Sequence, residues 1–230
     1  MSKLKDLEEK IGVFFDNKNL LQQALIHRSY LNENHDFHLG HNERLEFLGD
    51  AVLEIIITEY LFINFPNNPE GDLTNWRASL VNSKMLYQVA KDLGVEEFIL
   101  LSKGEAKDKN SKARQYILAN SIEAIIGAIY LDQGIEKSKD FVFKNIVFNL
   151  KDIIESKSYL DPKSRFQESS QEKASITPVY KVLKEEGPDH DKKFTVGLFL
   201  EEEMVSMGFG SSKQEAQVDA AEKGLTLKNW

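Results

Sequence analysis

Glu43, Glu46 and Asp50 recur at intervals of three and four in HNERLEFLGDAVLEIIITEYLF, residues 41–62, the spacing that gathers side chains on one side of an α-helix. On a helical wheel the three carboxylates span an arc of roughly 60°. Leu45, Leu48, Val52, Ile55 and Ile56 gather opposite them and are expected to face the core. Carboxylates grouped in this way repel one another, and a hard divalent cation such as Mg²⁺ is the usual remedy. A bound ion of that kind can activate a water and neutralise a developing negative charge. A solvated acidic face is the blander reading, but two neighbours argue against it. Phe47 lies roughly 40° from Glu43 on the wheel, away from the apolar side, where an aromatic ring would meet another chain. Gly49 weakens a helix by about 1 kcal/mol relative to alanine, so another segment is expected to approach the backbone there.

The string ERLEFLGD, Glu43 to Asp50, is long and ungapped, and it resembles the signature of the ribonuclease III family, endonucleases that cut double-stranded RNA. The likeness continues through EGDLTNWRASLVN (70–82) and ILANSIEAIIGAIYLD (117–132). The resemblance implies metal ligands at Glu46, Asp50 and Glu123, with Asp50 and Glu123 central to catalysis. Glu43 and Glu70 become outer acidic residues that engage the scissile region, although Glu70 reads equally well as a turn residue in PEGD. The implied cofactor is Mg²⁺, with Mn²⁺ able to substitute and no small-molecule cofactor. The implied products carry 5′-phosphate and 3′-hydroxyl ends, and the implied duties are processing of ribosomal RNA precursors, messenger RNA and transfer RNA. The family pairs two catalytic domains, so a homodimer with Phe47 at its interface is expected.

One position departs from the pattern. The family usually carries aspartate three residues before the second-helix glutamate, and this chain has Asn120. Its carbonyl can still ligate a hard cation, but it brings no charge and cannot act as a base. A working enzyme with a weaker metal site is the leading expectation; the alternative is a catalytically silent protein that only binds double-stranded RNA. His27, His35, His38 and His41 lack the spacing of paired ligands and are expected to be loop and surface residues, not a zinc site.

The elements that must carry these residues follow from the apolar period. It is helical near 3–11, 18–30, 43–63, 73–92, 111–131 and 136–156, which predicts an all-α endonuclease domain over 1–156, with a short polar linker, ESKSYL, at 155–160. Beyond it, residues 161–230 alternate as a small α+β unit in the order α-β-β-β-α. That order, with DPKSRFQE, GPDHDKKF and GSSKQEAQVDAA, resembles a double-stranded-RNA-binding domain. Shape-selective readers of A-form RNA contact two minor grooves and the phosphates between them. Ser164, Gln167, Glu168 and Gln171 share one helical face and match the first contact, and His190 matches the second. Lys213 opens the last helix, whose amino terminus favours phosphate. Gln214 stands where a second lysine is usual, which predicts weak binding by this unit alone.

Composition bounds the reading. The chain of 230 residues has a formal net charge of −8, which disfavours nonspecific attraction to phosphate. Residues 161–230 hold 10 Lys and Arg against 13 Asp and Glu, a net of −3, leaving −5 for residues 1–160. Contact with RNA must therefore come from local placement of cations and helix termini. Without cysteine, disulfides, thiolate metal sites and thiol nucleophiles are excluded. The first twenty residues lack the apolar core of a secretory signal, and no stretch approaches the ~18 apolar residues of a membrane span, so a cytoplasmic protein with no membrane partner is expected.

Overall fold

The computed structural model describes residues 2–108, 111–157, 159–188 and 192–230. They form two compact units, Met1–Ser156 and Lys157–Trp230. The first is helical: α1 Ser2–Ile11, α2 Lys18–Ala24, α3 Arg28–Leu31, α4 Glu43–Asn64, α5 Glu70–Val81, α6 Ser83–Asp92, α7 Lys103–Lys107, α8 Lys112–Asn145 and α9 Leu150–Glu155. Its centre is the packing of α4 on α8, with α6 and α2 against other sides of α8. Leu53, Ile56, Ile57 and Leu61 of α4 and Ile122, Ile125, Ile126 and Ile129 of α8 are fully buried, so apolar burial, worth ~1.5–3 kcal/mol per large side chain, fixes the two helices that carry the acidic residues.

The helix starts are locked by side chains. Asn42 is buried before α4; its amide donates to the Ala24 carbonyl at 3.2 Å, and its backbone N–H donates to the Ile26 carbonyl at 2.9 Å. Ser111 caps α8 by accepting the Arg114 N–H. Three boundaries differ from the periodic reading. The 18–30 segment breaks at Ile26, which forms a parallel bridge with Leu100. The 73–92 segment is two helices, because Asn82 takes an extended conformation and caps α6 through the Met85 N–H. The segments at 111–131 and 136–156 run together into one α8, interrupted at Gly134, whose φ of 81° suits glycine, and the second segment breaks again after Asn145, its end forming α9. Helix α7, too short for a periodic signal, joins them.

Helix α4 is also rotated from its expected pose. Ile55 is 58% exposed, whereas the wheel assigned it to the core. The buried side runs instead through Leu45, Gly49, Val52, Leu53, Ile56 and Ile57, because Gly49 lets α8 approach that side. Glu46 and Asp50 therefore border the buried side, and Phe47, 82% exposed, shares the outer face with Ile55.

The second unit is an antiparallel sheet, β1 Val179–Glu186, β2 Lys193–Leu200 and β3 Glu203–Gly210 in that order, with α10 Pro162–Ala174 before it and α11 Lys213–Lys228 after it. Phe166, Leu198, Leu200, Ala220, Ala221 and Leu225 form its core. A Cβ at Gly208 would lie 2.2 Å from the Ala216 carbonyl oxygen, which is how closely α11 presses on β3. Among the described residues, no helix is long and apolar enough to cross a membrane.

Candidate active site

The site is built where α4 crosses α8. A Cβ on Gly49 would stand 1.7 Å from the Glu123 carbonyl oxygen and 2.9 Å from the Gly127 nitrogen, and one on Gly127 would stand 2.2 Å from the Leu45 carbonyl oxygen. Only glycine at both positions lets the backbones meet. The approach expected at Gly49 is thus a second helix, and it places Glu46 and Asp50, which flank Gly49, beside Asn120 and Glu123 of α8.

The electrostatics follow from that crowding. Burial, with the charges of Asp50 and Glu46, pushes the Glu123 carboxyl up to about 7. Burial also raises Glu46; the hydrogen bond from Asn120 opposes this, and the charges of Glu43 and Asp50 add to it. The Asn120 amide nitrogen donates to Glu46 Oε1 at 2.8 Å. In this pose the amide is a donor that offsets repulsion; turning it about its terminal torsion would present its carbonyl instead. Among the described residues, no three His, Asp or Glu side chains converge closely enough to enclose a metal ion as they stand. The donor set nevertheless suits a hard cation: oxygen ligands from two facing helices, carrying repulsion that a cation would relieve.

Glu46 and Asn120 also line a cleft of about 430 Å³, with His27, Arg28, Glu43, Glu105 and Tyr116 among its other walls. Glu43 lies at the rim, 3.7 Å from both Arg28 Nη1 and His41 Nδ1. His27 caps α3 by accepting the Ser29 N–H, and burial lowers its pKa. Glu70, the first residue of α5, accepts a hydrogen bond from the Thr74 hydroxyl at 2.8 Å and lines a separate cavity with Thr58, Phe62 and Arg77. Within one chain the crossing gathers Glu46, Asp50, Asn120 and Glu123, sets Glu43 beside them, and leaves Glu70 apart.

Residues 17–150 match the model of the ribonuclease-III-like family, and residues 162–227 match the double-stranded RNA binding motif. The chain belongs to the ribonuclease III family of endoribonucleases. A "Ribonuclease 3" of Enterococcus faecalis is 41% identical over 96% of this chain and 95% of its own length. Another, of Carboxydothermus hydrogenoformans, is 42% identical over 97% and 95% respectively. Among solved structures, the nuclease domain of Campylobacter jejuni ribonuclease III aligns with a TM-score of 0.57 at 42% identity, covering 64% of this chain and 97% of that one. That structure was described for flexibility in the region involved in dimer formation.

In the second unit, Ser164, Gln167, Glu168 and Gln171 all lie exposed on α10. Asp161 caps that helix, accepting the N–H groups of Lys163 and Ser164 and the Ser164 hydroxyl. Glu168 pairs with Lys157 at 3.6 Å, and Gln171 donates to the Thr177 hydroxyl. Lys213 is exposed at the start of α11, where Ser212 caps the helix through the Glu215 N–H, and it lies 3.9 Å from Glu185. His190 lies outside the described residues.

Arg28, Glu105 and Tyr116 also line the cleft, and the sequence pattern does not mark them as site residues. Tyr116 had a usable signal, since it lies one turn before Asn120 on the same helix face. Glu105 had none: the buried Arg114 guanidinium donates to the carbonyls of Glu105 and Ala106 at 3.0 and 3.4 Å and so anchors α7 at the cleft. Arg28 arrives through the bridge between Ile26 and Leu100.

Proposed function

We propose that the chain is a homodimeric, Mg²⁺-dependent endonuclease that hydrolyses double-stranded RNA in the cytoplasm. It leaves 5′-phosphate and 3′-hydroxyl ends on ribosomal RNA precursors and messenger RNAs. The observation that carries this reading is the Gly49–Gly127 crossing, which couples Glu46, Asp50 and Glu123 electrostatically in a partly buried setting. Those three carboxylates and the Asn120 carbonyl would hold the ion. When bound, Mg²⁺ supplies a water made nucleophilic near neutral pH and neutralises charge on the phosphate.

The chain's own groups prepare that state. Glu123, held protonated in part near neutrality, must release its proton to become a ligand. Asn120 must turn its nitrogen from Glu46 to offer oxygen. Glu43 and Arg28 at the rim are placed to meet the strand outside the cluster, and the exposed face of α10 with Lys213 holds the duplex by groove and phosphate contacts. Pairing of two chains through Phe47 and Ile55 is supported by the exposure of both on one helix face and would supply one site per strand. No observation favours a silent duplex-binding protein.

The direct test is cleavage of a long RNA duplex with Mg²⁺, with Mn²⁺ and with chelator. Cut ends bearing 5′-phosphate only when metal is present are expected. Absence of cleavage at every metal concentration would overturn the reading.

A further inference from the structure

Tyr116 has no evident structural duty. Its side chain is 57% exposed, on a helix whose neighbouring Ile117 and Leu118 are buried. Its hydroxyl has no hydrogen-bond partner among the described residues. Yet it lines the same 430 Å³ cleft as Glu46 and Asn120, with Arg28 among the other walls. On α8, Tyr116, Asn120 and Glu123 stand at i, i+4 and i+7, so residue 116 is about one helical turn, roughly 6 Å along the axis, from the ligand position at 120. Arg28 is exposed and, among the described residues, its guanidinium is paired with Glu43 at 3.7 Å, a weak surface contact that a phosphate can replace.

Those features suit a ribonucleotide beside the scissile phosphate. An A-form duplex offers ribose 2′-hydroxyls in its shallow groove, and its paired bases are closed to stacking. A tyrosine there can lay its ring on the sugar and exchange a hydrogen bond with the 2′-hydroxyl, and an arginine near it can take the adjoining phosphate. We propose that Tyr116 contacts one ribose 2′-hydroxyl next to the cleaved bond, with Arg28 on a neighbouring phosphate, so that the nuclease unit itself distinguishes RNA from DNA. The inference rests on the cleavage reading above and adds a substrate contact to it.

The test is a double-mutant cycle between protein and substrate. Duplexes carrying a single 2′-deoxy nucleotide at successive positions around the cut are cleaved under single-turnover conditions by the unaltered full chain, by Tyr116→Phe and by Tyr116→Ala. At one position the deoxy substitution should slow the unaltered chain about 5- to 10-fold, the effect of one hydrogen bond. Tyr116→Phe should slow the all-RNA duplex by the same factor and be insensitive to deoxy at that position alone. Tyr116→Ala, losing the ring as well, should be slower again, while both variants melt with the parent because the side chain is exposed. A Tyr116→Phe profile that parallels the parent's at every position would overturn the proposal and leave the parent reading intact. No cleavage by the unaltered chain would remove both.

Discussion

The backbone of Gly49 lies so close to that of Glu123 that a methyl carbon at residue 49 would sit 1.7 Å from the Glu123 carbonyl oxygen. Backbone cannot yield as a side chain can, so Gly49→Ala must push α4 away from α8. Overpacking of this kind costs ~1–3 kcal/mol and occasionally more, and here the upper end is expected. Thermal and denaturant unfolding should show it, and cleavage should fall further than stability because Glu46 and Asp50 move with the helix. A Gly49→Ala chain with parental stability and activity would show that the crossing does not set the site.

Phe47 bears on assembly. An aromatic anchor at the centre of an interface is worth ~2 kcal/mol or more, so Phe47→Ala should weaken the dimer at least 30-fold and leave the monomer's melting unchanged, since the ring is 82% exposed. Sedimentation at decreasing concentration reads this directly. An unaltered dimer would move the interface off this face of α4.

The sequence encodes some of these placements locally and leaves others to contacts between distant segments. The glycine at 49 announced a close approach, and the ordered apolar periods gave the helices and the α-β-β-β-α unit, because local propensity and period act within one segment. The rotation of α4 was closed to that logic. A wheel ranks faces by apolar content, but Ile55 lies outward because the contact with α8 is decided by where a Cβ is missing. Arg28 and Glu105 reach the cleft only through the Ile26–Leu100 bridge and the Arg114 clamp, pairings between distant segments that no local pattern encodes.

Glu123 gives the metal-free chain a pH signature. Its carboxyl is held up to about 7, against an ordinary value of 4.5. A raised carboxyl contributes stability that is fully present below the unfolded value and is lost as pH rises through the folded one. In chelator, the stability advantage of Glu123→Gln over the parent should therefore be absent below pH 4.5, grow between there and about 7, and level off above. Metal binding near pH 6 should also release a proton, measurable by calorimetry in buffers of different ionisation heat. A parent-to-variant difference that is flat with pH would place Glu123 outside the charged cluster.

Binding and chemistry should separate between the units. Lys213→Ala should weaken binding to all duplex sequences alike and reduce the salt slope by about 1. Glu123→Gln should abolish cleavage while affinity measured with Ca²⁺ stays near parental. The 3.9 Å pair with Glu185 is exposed and contributes little to folding, so Lys213→Ala should melt with the parent. Equal losses of affinity in the two variants would undo this division.

Asn120→Asp tests the position where this chain departs from its family. The amide at 120 donates to Glu46 Oε1 at 2.8 Å; aspartate would remove that donor and set a fourth carboxylate against Glu46, Asp50 and Glu123. Loss of the bond and added repulsion should cost about 1 kcal/mol at this half-buried site, lowering the melting temperature by about 2–4 °C in chelator. Metal should reverse the order, since a charged oxygen ligand replaces a neutral one. Half-maximal cleavage should occur at lower Mg²⁺ concentration, and the melting shift from chelator to excess Mg²⁺ should be larger than in the parent. Comparison of the two proteins on one duplex across a Mg²⁺ series, with melting run in both conditions, measures each part. Identical metal dependence and identical melting shifts would mean that residue 120 only buttresses Glu46, and the contribution of α8 to the metal would then rest on Glu123.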